Sequence, residues 1–93
     1  MTLTDLEKIV LKGTIAFWNY ANREEKFDNA VLFNATELSV ETGLPTNVVK
    51  GVMGSLHKKG LFHDMEGGGS RGIIESGVTD EGVDVVCDLL GID

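Results

Sequence analysis

Residues 37–62 read ELSVETGLPTNVVKGVMGSLHKKGLF, and this stretch decides the fold. It holds two helical patterns separated by a tight turn. The first ends at Gly43, because glycine readily takes the left-handed conformation that terminates a helix. The second begins at Pro45, where a missing N–H costs nothing, and Thr46 or Asn47 is expected to help satisfy the neighbouring amides. Its buried side is predicted from helical spacing to comprise Val49, Val52, Met53 and Leu56.

Two capping boxes predict where the helices before this turn begin. Glu7 follows Thr4 by three residues, and Glu37 follows Asn34 by the same spacing. In a capping box each side chain accepts a hydrogen bond from the other residue's amide. A first helix is therefore expected from Thr4 and a second from near Asn34 or two residues later. The β-prone run at 31–33 predicts a short strand between them.

The first helix is expected to run to about Asn22 and to carry two apolar stripes. Its predicted core face comprises Leu6, Ile9, Val10, Gly13, Phe17 and Tyr20. The second stripe comprises Leu11, Ile15 and Trp18. Because large exposed apolar surfaces usually mark interfaces, this second stripe is a candidate interface. Either the C-terminal helix of the same chain or a second copy of the protein is expected to cover it.

A hairpin and a last helix follow, after Gly60 ends the third helix. The β-prone runs 61–65 and 72–78 flank a glycine-rich segment, which predicts a hairpin with a loose tip. Thr79 is expected to cap the last helix. Its apolar side is predicted to comprise Val83, Val86, Cys87 and Leu90, with Gly91 at its end.

The order of elements is helix, short strand, helix, tight turn, helix, hairpin, helix. That order predicts an α+β, mainly α fold of the winged helix-turn-helix type. It has a three-helix core, a β-hairpin wing and a C-terminal helix. Residues 1–93 are expected to form this single domain, since the length is close to the roughly 100–150 residues that are typical of one globular domain.

The charge of the chain is unevenly distributed. It has 15 acidic and 8 basic side chains and a formal net charge of -7. This charge excludes a generally basic protein that coats nucleic acid. Residues 44–60 nevertheless carry three lysines and no acidic residue, whereas residues 61–93 carry one arginine against eight acidic residues. Because a local field of one sign steers a ligand of the opposite sign, the third helix is the part expected to meet an anionic partner.

Cysteine usage and hydropathy indicate the compartment. Cys87 is the one cysteine, so no internal disulfide can form and a reducing environment is expected. No leader pattern is recognised, and the apolar stretches are far shorter than the roughly 18–20 residues that span a bilayer. A soluble, cytoplasmic protein is expected.

Three short motifs within residues 35–83 occur in a specific order and spacing. A Gly-Leu turn at Gly43 precedes the third helix, the helix ends in Leu-x-x-Lys-Gly-Leu at residues 56–61, and Val-Thr-x-x-Gly follows the hairpin at residues 78–82. In this combination the chain resembles the MarR-like winged-helix regulators. The resemblance implies binding to double-stranded DNA and a role in transcription regulation.

The resemblance also implies which residues contact DNA. In such proteins a helix enters the major groove, where its N-terminal half reaches base edges, and basic side chains neutralise phosphates. Here helix 46–59 would lie in the major groove, and wing 66–72 on the backbone or in the minor groove. Thr46 and Asn47, unless they only cap the helix, would contact bases together with Lys50. The complete predicted set is Thr46, Asn47, Lys50, Gly51, Gly54, Ser55, Lys58, Lys59 and Arg71.

Two glycines depart from the pattern of the family. Gly51 and Gly54 stand on the outward side of the third helix, where such regulators often carry arginine or another long polar residue, and each costs about 1 kcal/mol of helix propensity relative to alanine. Four cationic contacts would give a log–log salt slope of only about -3.6. Weak binding by a monomer is therefore expected, with a homodimer formed through the first and C-terminal helices as one way to raise the affinity.

Other chemistries have little support in the sequence. Residues 67–72 match the spacing GxGxxG, but a strand follows them where a dinucleotide site requires a helix. His57, His63 and Asp64 lack zinc-site spacing. No nucleophile is paired with a base, so neither an enzyme nor a cofactor is predicted.

Two alternative functions remain open. The net charge of -7, the glycine surface and the Leu11 stripe also suit an acidic winged-helix module, accessory or viral, that binds a transcription or replication protein. The acidic C-terminal third would suit a DNA mimic if its carboxylates shared one face.

Overall fold

The computed structural model describes residues 2–18, 24, 32–65 and 75–92, and its elements follow the predicted order. The predicted fold class, an α+β and mainly α fold of winged-helix type, is confirmed. The predicted loop at 23–30, apart from Glu24, and the wing tip with Arg71 lie outside the described residues. The elements are α1 (Asp5–Gly13), a 3₁₀ helix (Thr14–Phe17), α2 (Ala35–Thr42), α3 (Thr46–Lys58), β1 (Phe62–Met65), β2 (Glu75–Val78) and α4 (Asp80–Leu90).

Both predicted capping boxes are confirmed. The amide of Glu7 donates to Thr4 Oγ1 at 3.1 Å, and the amide of Thr4 donates to Glu7 Oε1 at 2.8 Å. Asn34 and Glu37 make the same pair of bonds, at 2.9 and 3.1 Å, at the start of α2. These bonds satisfy amides that a helix start otherwise leaves unpaired. The second helix therefore begins directly after Asn34, the earlier of the two predicted starts.

The start of α3 differs from the prediction. Pro45 occupies the cap position instead of the first helical position, and no side chain caps this helix. The capping role considered for Thr46 and Asn47 is therefore wrong. Proline has no side-chain oxygen to accept an amide hydrogen, and the two polar residues already lie inside the helix. The predicted end is confirmed, since Gly60 takes φ 76° just after the last turn.

The first helix is shorter than predicted. Its α-helical part ends at Gly13, a 3₁₀ turn continues to Phe17, and Trp18 has an extended backbone with φ -76° and ψ 146°. Thr14 is buried, and its hydroxyl donates to the carbonyl of Leu11 at 2.6 Å. A β-branched residue that bonds back to the preceding turn favours this tightening and loss of the helix. The prediction of a helix to Asn22 is wrong.

The buried face of α1 also differs from the prediction. The predicted core residues Leu6 and Ile9 are 42% and 40% exposed, and Tyr20 lies outside the described residues. The face that is buried has the spacing i, i+3, i+4, i+7, but it includes a carboxylate and a hydroxyl. Apolar periodicity alone could not reveal it. This face comprises Glu7, Val10, Leu11 and Thr14.

The β-prone run before α2 joins the hairpin through one residue. Phe33 forms an isolated antiparallel bridge with Ser76, with N–O distances of 2.8 and 2.7 Å. Its ring stacks on Phe17 at a centroid distance of 5.6 Å and meets Phe62 edge-on at 5.3 Å. Strands β1 and β2 pair antiparallel, with Phe62 opposite Val78. The hairpin base is therefore held to the helices by an aromatic cluster.

The two motifs on either side of the hairpin meet in space. The amide of Thr79 donates to the carbonyl of Leu61 at 3.0 Å, and the Thr79 hydroxyl donates to the carbonyl of Gly60 at 2.7 Å. The same hydroxyl accepts the amide of Gly82 at 3.0 Å, as predicted for a cap. A Cβ on Gly82 would overlap the Leu61 carbonyl and Val78 Cγ1. Gly82, the glycine of the Val-Thr-x-x-Gly motif, thus lets α4 begin directly against Leu61, the last residue of the Leu-x-x-Lys-Gly-Leu motif.

Helix α4 buries most of its predicted apolar side. Val83, Val86 and Cys87 are fully buried, whereas the prediction that Leu90 is buried is wrong, since it is 38% exposed. Gly91 has φ 69°, and the amide of Ile92 donates to the carbonyl of Cys87 at 2.8 Å. This helix-terminating turn directs Ile92, in place of Leu90, onto the core. No helix among the described residues is long and apolar enough to cross a membrane.

Candidate nucleic-acid interface

Helix α3 has one buried apolar face and one exposed polar face. The buried face consists of Val49, Val52, Met53 and Leu56, as predicted, and packs on α1 and α2. Thr46 is half-buried at the N-terminal end of the helix. The exposed residues, here called the α3 face, are Asn47, Lys50, Gly51, Gly54 and Lys58.

The spacing of the α3 face gives it a defined chemistry. Asn47, Gly51, Gly54 and Lys58 follow the intervals i, i+4, i+7 and i+11, so they line one side of the helix. Lys50 lies one turn before Gly54 on the same side. The N-terminal half of the α3 face therefore carries an amide group and an ammonium group. Its middle is a glycine surface without side chains, and its C-terminal end carries a second ammonium group.

No contact within the described chain explains the two glycines. A Cβ at Gly51 or at Gly54 would have nothing within 4 Å, and neither residue has a positive φ. Alanine would therefore fit both positions in the folded chain. The glycines keep the middle of the α3 face low enough for another molecule to approach the helix backbone.

Two of the predicted DNA-contacting residues bind a carboxylate inside the protein. Ser55 Oγ donates to Glu7 Oε2 at 2.5 Å, and Lys59 Nζ lies 2.6 Å from Glu7 Oε1. Glu7 is only 2% exposed. The hydrogen bonds from Lys59, Ser55 and the Thr4 amide outweigh desolvation and lower the pKa of Glu7 from 4.5 to about 2. Glu7 is ionised at neutral pH and ties α1 to the end of α3.

Sequence reasoning treated Glu7 as a capping residue and missed its second role. A signal was present, because Glu7 begins the i, i+3, i+4, i+7 series that includes Val10 and Leu11. A capping glutamate on the apolar side of its helix needs a partner inside the protein. The identity of that partner is set by the packing of α1 on α3.

The ion pair changes the charge that α3 offers to an anionic partner. Residues 44–60 carry three lysines, but the charge of Lys59 is balanced by the buried carboxylate of Glu7. Lys50 and Lys58 are exposed on the α3 face. The basic element predicted from three lysines therefore presents two of them, while Arg71 of the wing lies outside the described residues.

The predicted apolar interface on α1 is largely covered by the chain itself. Leu11 is fully buried, which excludes it from any interface of the folded monomer. Ile15 and Trp18 are half-buried, and Trp18 packs against the core. In the part of the chain that the structure describes, the exposed large apolar side chains are Leu6, Ile9, Val40 and Leu90. Among the described residues no cluster of histidine, cysteine, aspartate and glutamate could hold a metal.

Comparisons with known proteins identify a shared fold. No protein-family model matches the chain, and no curated protein matches it significantly. It is similar to a solved structure described as "Mechanism for regulation of DNA binding of Bordetella bronchiseptica BpsR by 6-hydroxynicotinic acid", with 18% identity and a TM-score of 0.68. The match covers 96% of this chain and 58% of that chain. This chain shares its fold with a DNA-binding protein.

Proposed function

We propose that this protein is a small MarR-like winged-helix regulator of transcription that binds double-stranded DNA through the α3 face. The observation that carries the proposal is the exposure of Asn47, Lys50 and Lys58 on the second helix of the helix-turn-helix, in a fold shared with a DNA-binding protein. That helix is the one that enters the major groove in helix-turn-helix proteins.

Each residue of the α3 face has a proposed role that follows from its chemistry. Asn47 suits bidentate contact with adenine and Lys50 suits guanine, while Thr46 stands beside them at the helix start. Lys58, at the other end, contacts phosphate, together with Arg71 of the wing. Neither Thr46 nor Asn47 is used as a helix cap, which supports their availability for DNA.

The small number of cations favours binding by two copies. Contacts from Lys50, Lys58 and Arg71 give one copy a log–log salt slope of only about -2.7. A homodimer formed through α1 and α4 doubles this number. The exposed side chains of Leu6 and Ile9 on α1 and Leu90 on α4 support that arrangement.

The first experiment maps the contact surface. A mixed-sequence duplex of about 20 base pairs, which offers roughly two turns of major groove, is titrated into isotopically labelled protein at low salt. We expect salt-sensitive amide shifts at residues 46–58 and 66–72. The absence of shifts at high concentrations of both molecules would defeat the DNA-binding proposal.

A charge reversal tests the two lysines of the α3 face. We expect Lys50→Glu/Lys58→Glu to abolish duplex binding in fluorescence anisotropy. Lys8→Glu/Lys12→Glu on α1 is the matched control for net charge, and because α1 also belongs to the proposed dimer surface, sedimentation checks that this variant keeps the oligomeric state of the wild type. We expect the control to retain most of its affinity. Equal losses in both variants would mean that net charge, and not the α3 face, governs binding.

A second candidate function is supported by exposed apolar surface. Val40, on the first helix of the helix-turn-helix, is 80% exposed, and the chain carries a net charge of -7. Both features suit a winged-helix module that binds a transcription or replication protein. If DNA causes no amide shifts and a stable protein partner is recovered by pull-down, this function replaces the first.

A further inference from the structure

The neighbouring lysines at the end of α3 point to different sides of the helix. Consecutive residues of an α-helix are separated by about 100° around its axis. Lys58 shares its side with Gly54, four residues earlier, and is exposed. Lys59 shares its side with Ser55, and both contact Glu7 on α1.

The ammonium group of Lys59 is held by acceptors at the start of the chain. Nζ donates to Glu7 Oε1 at 2.6 Å and to the carbonyl of Thr2 at 2.9 Å. The side chain of Lys59 is 30% exposed and that of Glu7 is 2% exposed. A partly buried ion pair is screened by salt much less than a surface pair, so this one persists at the ionic strengths used for DNA titrations.

The carboxylate also fixes the position of α3. One oxygen of Glu7 accepts the Thr4 amide of its own capping box and Lys59 Nζ, and the other accepts Ser55 Oγ. Two of these charge-assisted hydrogen bonds, from Ser55 and Lys59, therefore join the last turns of α3 to the start of α1. Bonds to an ionised group are roughly twice as strong as neutral ones and restrict orientation.

We propose that Glu7 is a positioning residue for DNA binding, which holds α3 in its DNA-binding orientation through Ser55 and Lys59 and keeps Lys59 away from DNA phosphate. The inference rests on the DNA-binding function proposed above. It assigns the phosphate contact at the C-terminal end of α3 to Lys58 and removes Ser55 and Lys59 from the contact set.

The test compares the salt dependence of duplex binding in single-lysine variants. Lys58→Met should reduce the magnitude of the log–log slope by about 0.9, the effect of one phosphate contact. Lys59→Met should leave the slope at the wild-type value but weaken Kd about tenfold at every salt concentration, which is the size of one charge-assisted hydrogen bond.

Two further variants keep the test independent of folding stability. Lys59→Met leaves the buried Glu7 without its cation, so Glu7→Gln/Lys59→Met, which removes both charges, is measured beside it with the same expectation. Val86→Ala removes part of a buried α4 side chain that takes no part in the bonds between Glu7, Ser55 and Lys59, and it should leave both Kd and slope unchanged at temperatures where all variants are folded.

The possible outcomes separate this inference from the function on which it rests. A slope reduced equally in Lys58→Met and in the Lys59 variants would show that Lys59 contacts phosphate and would overturn the inference alone. So would a wild-type Kd in Glu7→Gln/Lys59→Met, or a tenfold loss in Val86→Ala. A wild-type protein without salt-sensitive duplex binding would overturn the proposed function and this inference with it.

Discussion

At the scale of single residues, two helical glycines differ in whether the folded structure requires them. Gly82 is required by the interior, because a Cβ there would lie 3.2 Å from the carbonyl carbon of Leu61 and overlap its oxygen. A Cβ on Gly51 would have no neighbouring side chain or element within 4 Å. Helix propensity favours alanine at both positions by about 1 kcal/mol, so any difference between them measures the tertiary contact.

We expect Gly82→Ala to destabilise the protein by about 1–3 kcal/mol, because the overlap forces α4 away from Leu61. Gly51→Ala, the matched control, should stabilise it by up to about 1 kcal/mol. Urea unfolding followed by circular dichroism measures both values. A Gly82→Ala protein as stable as the wild type would show that the first turn of α4 can move away from Leu61 at no cost.

At the scale of elements, Gly51 and Gly54 make α3 less stable than alanine would, although the fold does not require glycine at either position. Replacing both Gly51 and Gly54 by alanine should raise the free energy of unfolding, by about 1 kcal/mol for each position. The same replacement should weaken duplex binding, because the added methyl groups hold the helix away from the groove. Unfolding and anisotropy measured on one preparation test the two effects together. Stabilisation with unchanged or tighter binding would deny these glycines a role in DNA approach.

The contacts of Glu7 on α1 with Ser55 and Lys59 give the protein an acid-sensitive contribution to stability. The pKa of Glu7 is about 2 in the folded protein against 4.5 as its ordinary value, so ionised Glu7 stabilises the fold above pH 4.5. This contribution is lost as the pH falls through the folded pKa. The wild type should therefore lose its advantage over Glu7→Gln by about 1 kcal/mol per pH unit between these two values.

Urea unfolding of both proteins at pH 6, 4.5, 3.5 and 2.5 measures this difference. The two proteins differ only at residue 7, so the difference in their stability isolates the contribution of Glu7. A stability difference that stays constant over this pH range would contradict the low pKa of Glu7 and the strength of its bonds to Lys59 and Ser55.

At the scale of the whole molecule, the salt dependence of the proposed duplex binding would report how many copies bind. Three cations from one copy predict that the affinity falls about 40-fold between 50 and 200 mM salt, whereas two copies predict about 2,000-fold. Because the chain carries -7 overall, acidic surface outside α3 adds no favourable contacts. Fluorescence anisotropy over this range distinguishes the two cases, and sedimentation of the complex counts the copies independently.

Local signals predicted much of this structure because they act over a few residues. The capping boxes at Thr4 and Asn34, the glycine ends at Gly43 and Gly60, and the cap at Thr79 are formed within one turn of chain. The exposed lysines of the α3 face also follow from helical periodicity around Val49 and its apolar neighbours. These residues of the predicted site are exposed as expected, but the sequence could not show that Lys59 pairs with a buried carboxylate.

The sequence by itself determined the order of helices and strands, most of the individual helix ends and the basic character of α3. These properties depend on propensity, capping and periodicity, which are local. Tertiary structure alone decided which groups bind the buried Glu7, that Lys59 is neutralised while Lys58 is exposed, and that Gly82 must be glycine. Each of these depends on atoms brought together from distant parts of the chain, where packing and electrostatic pairing outweigh local preference.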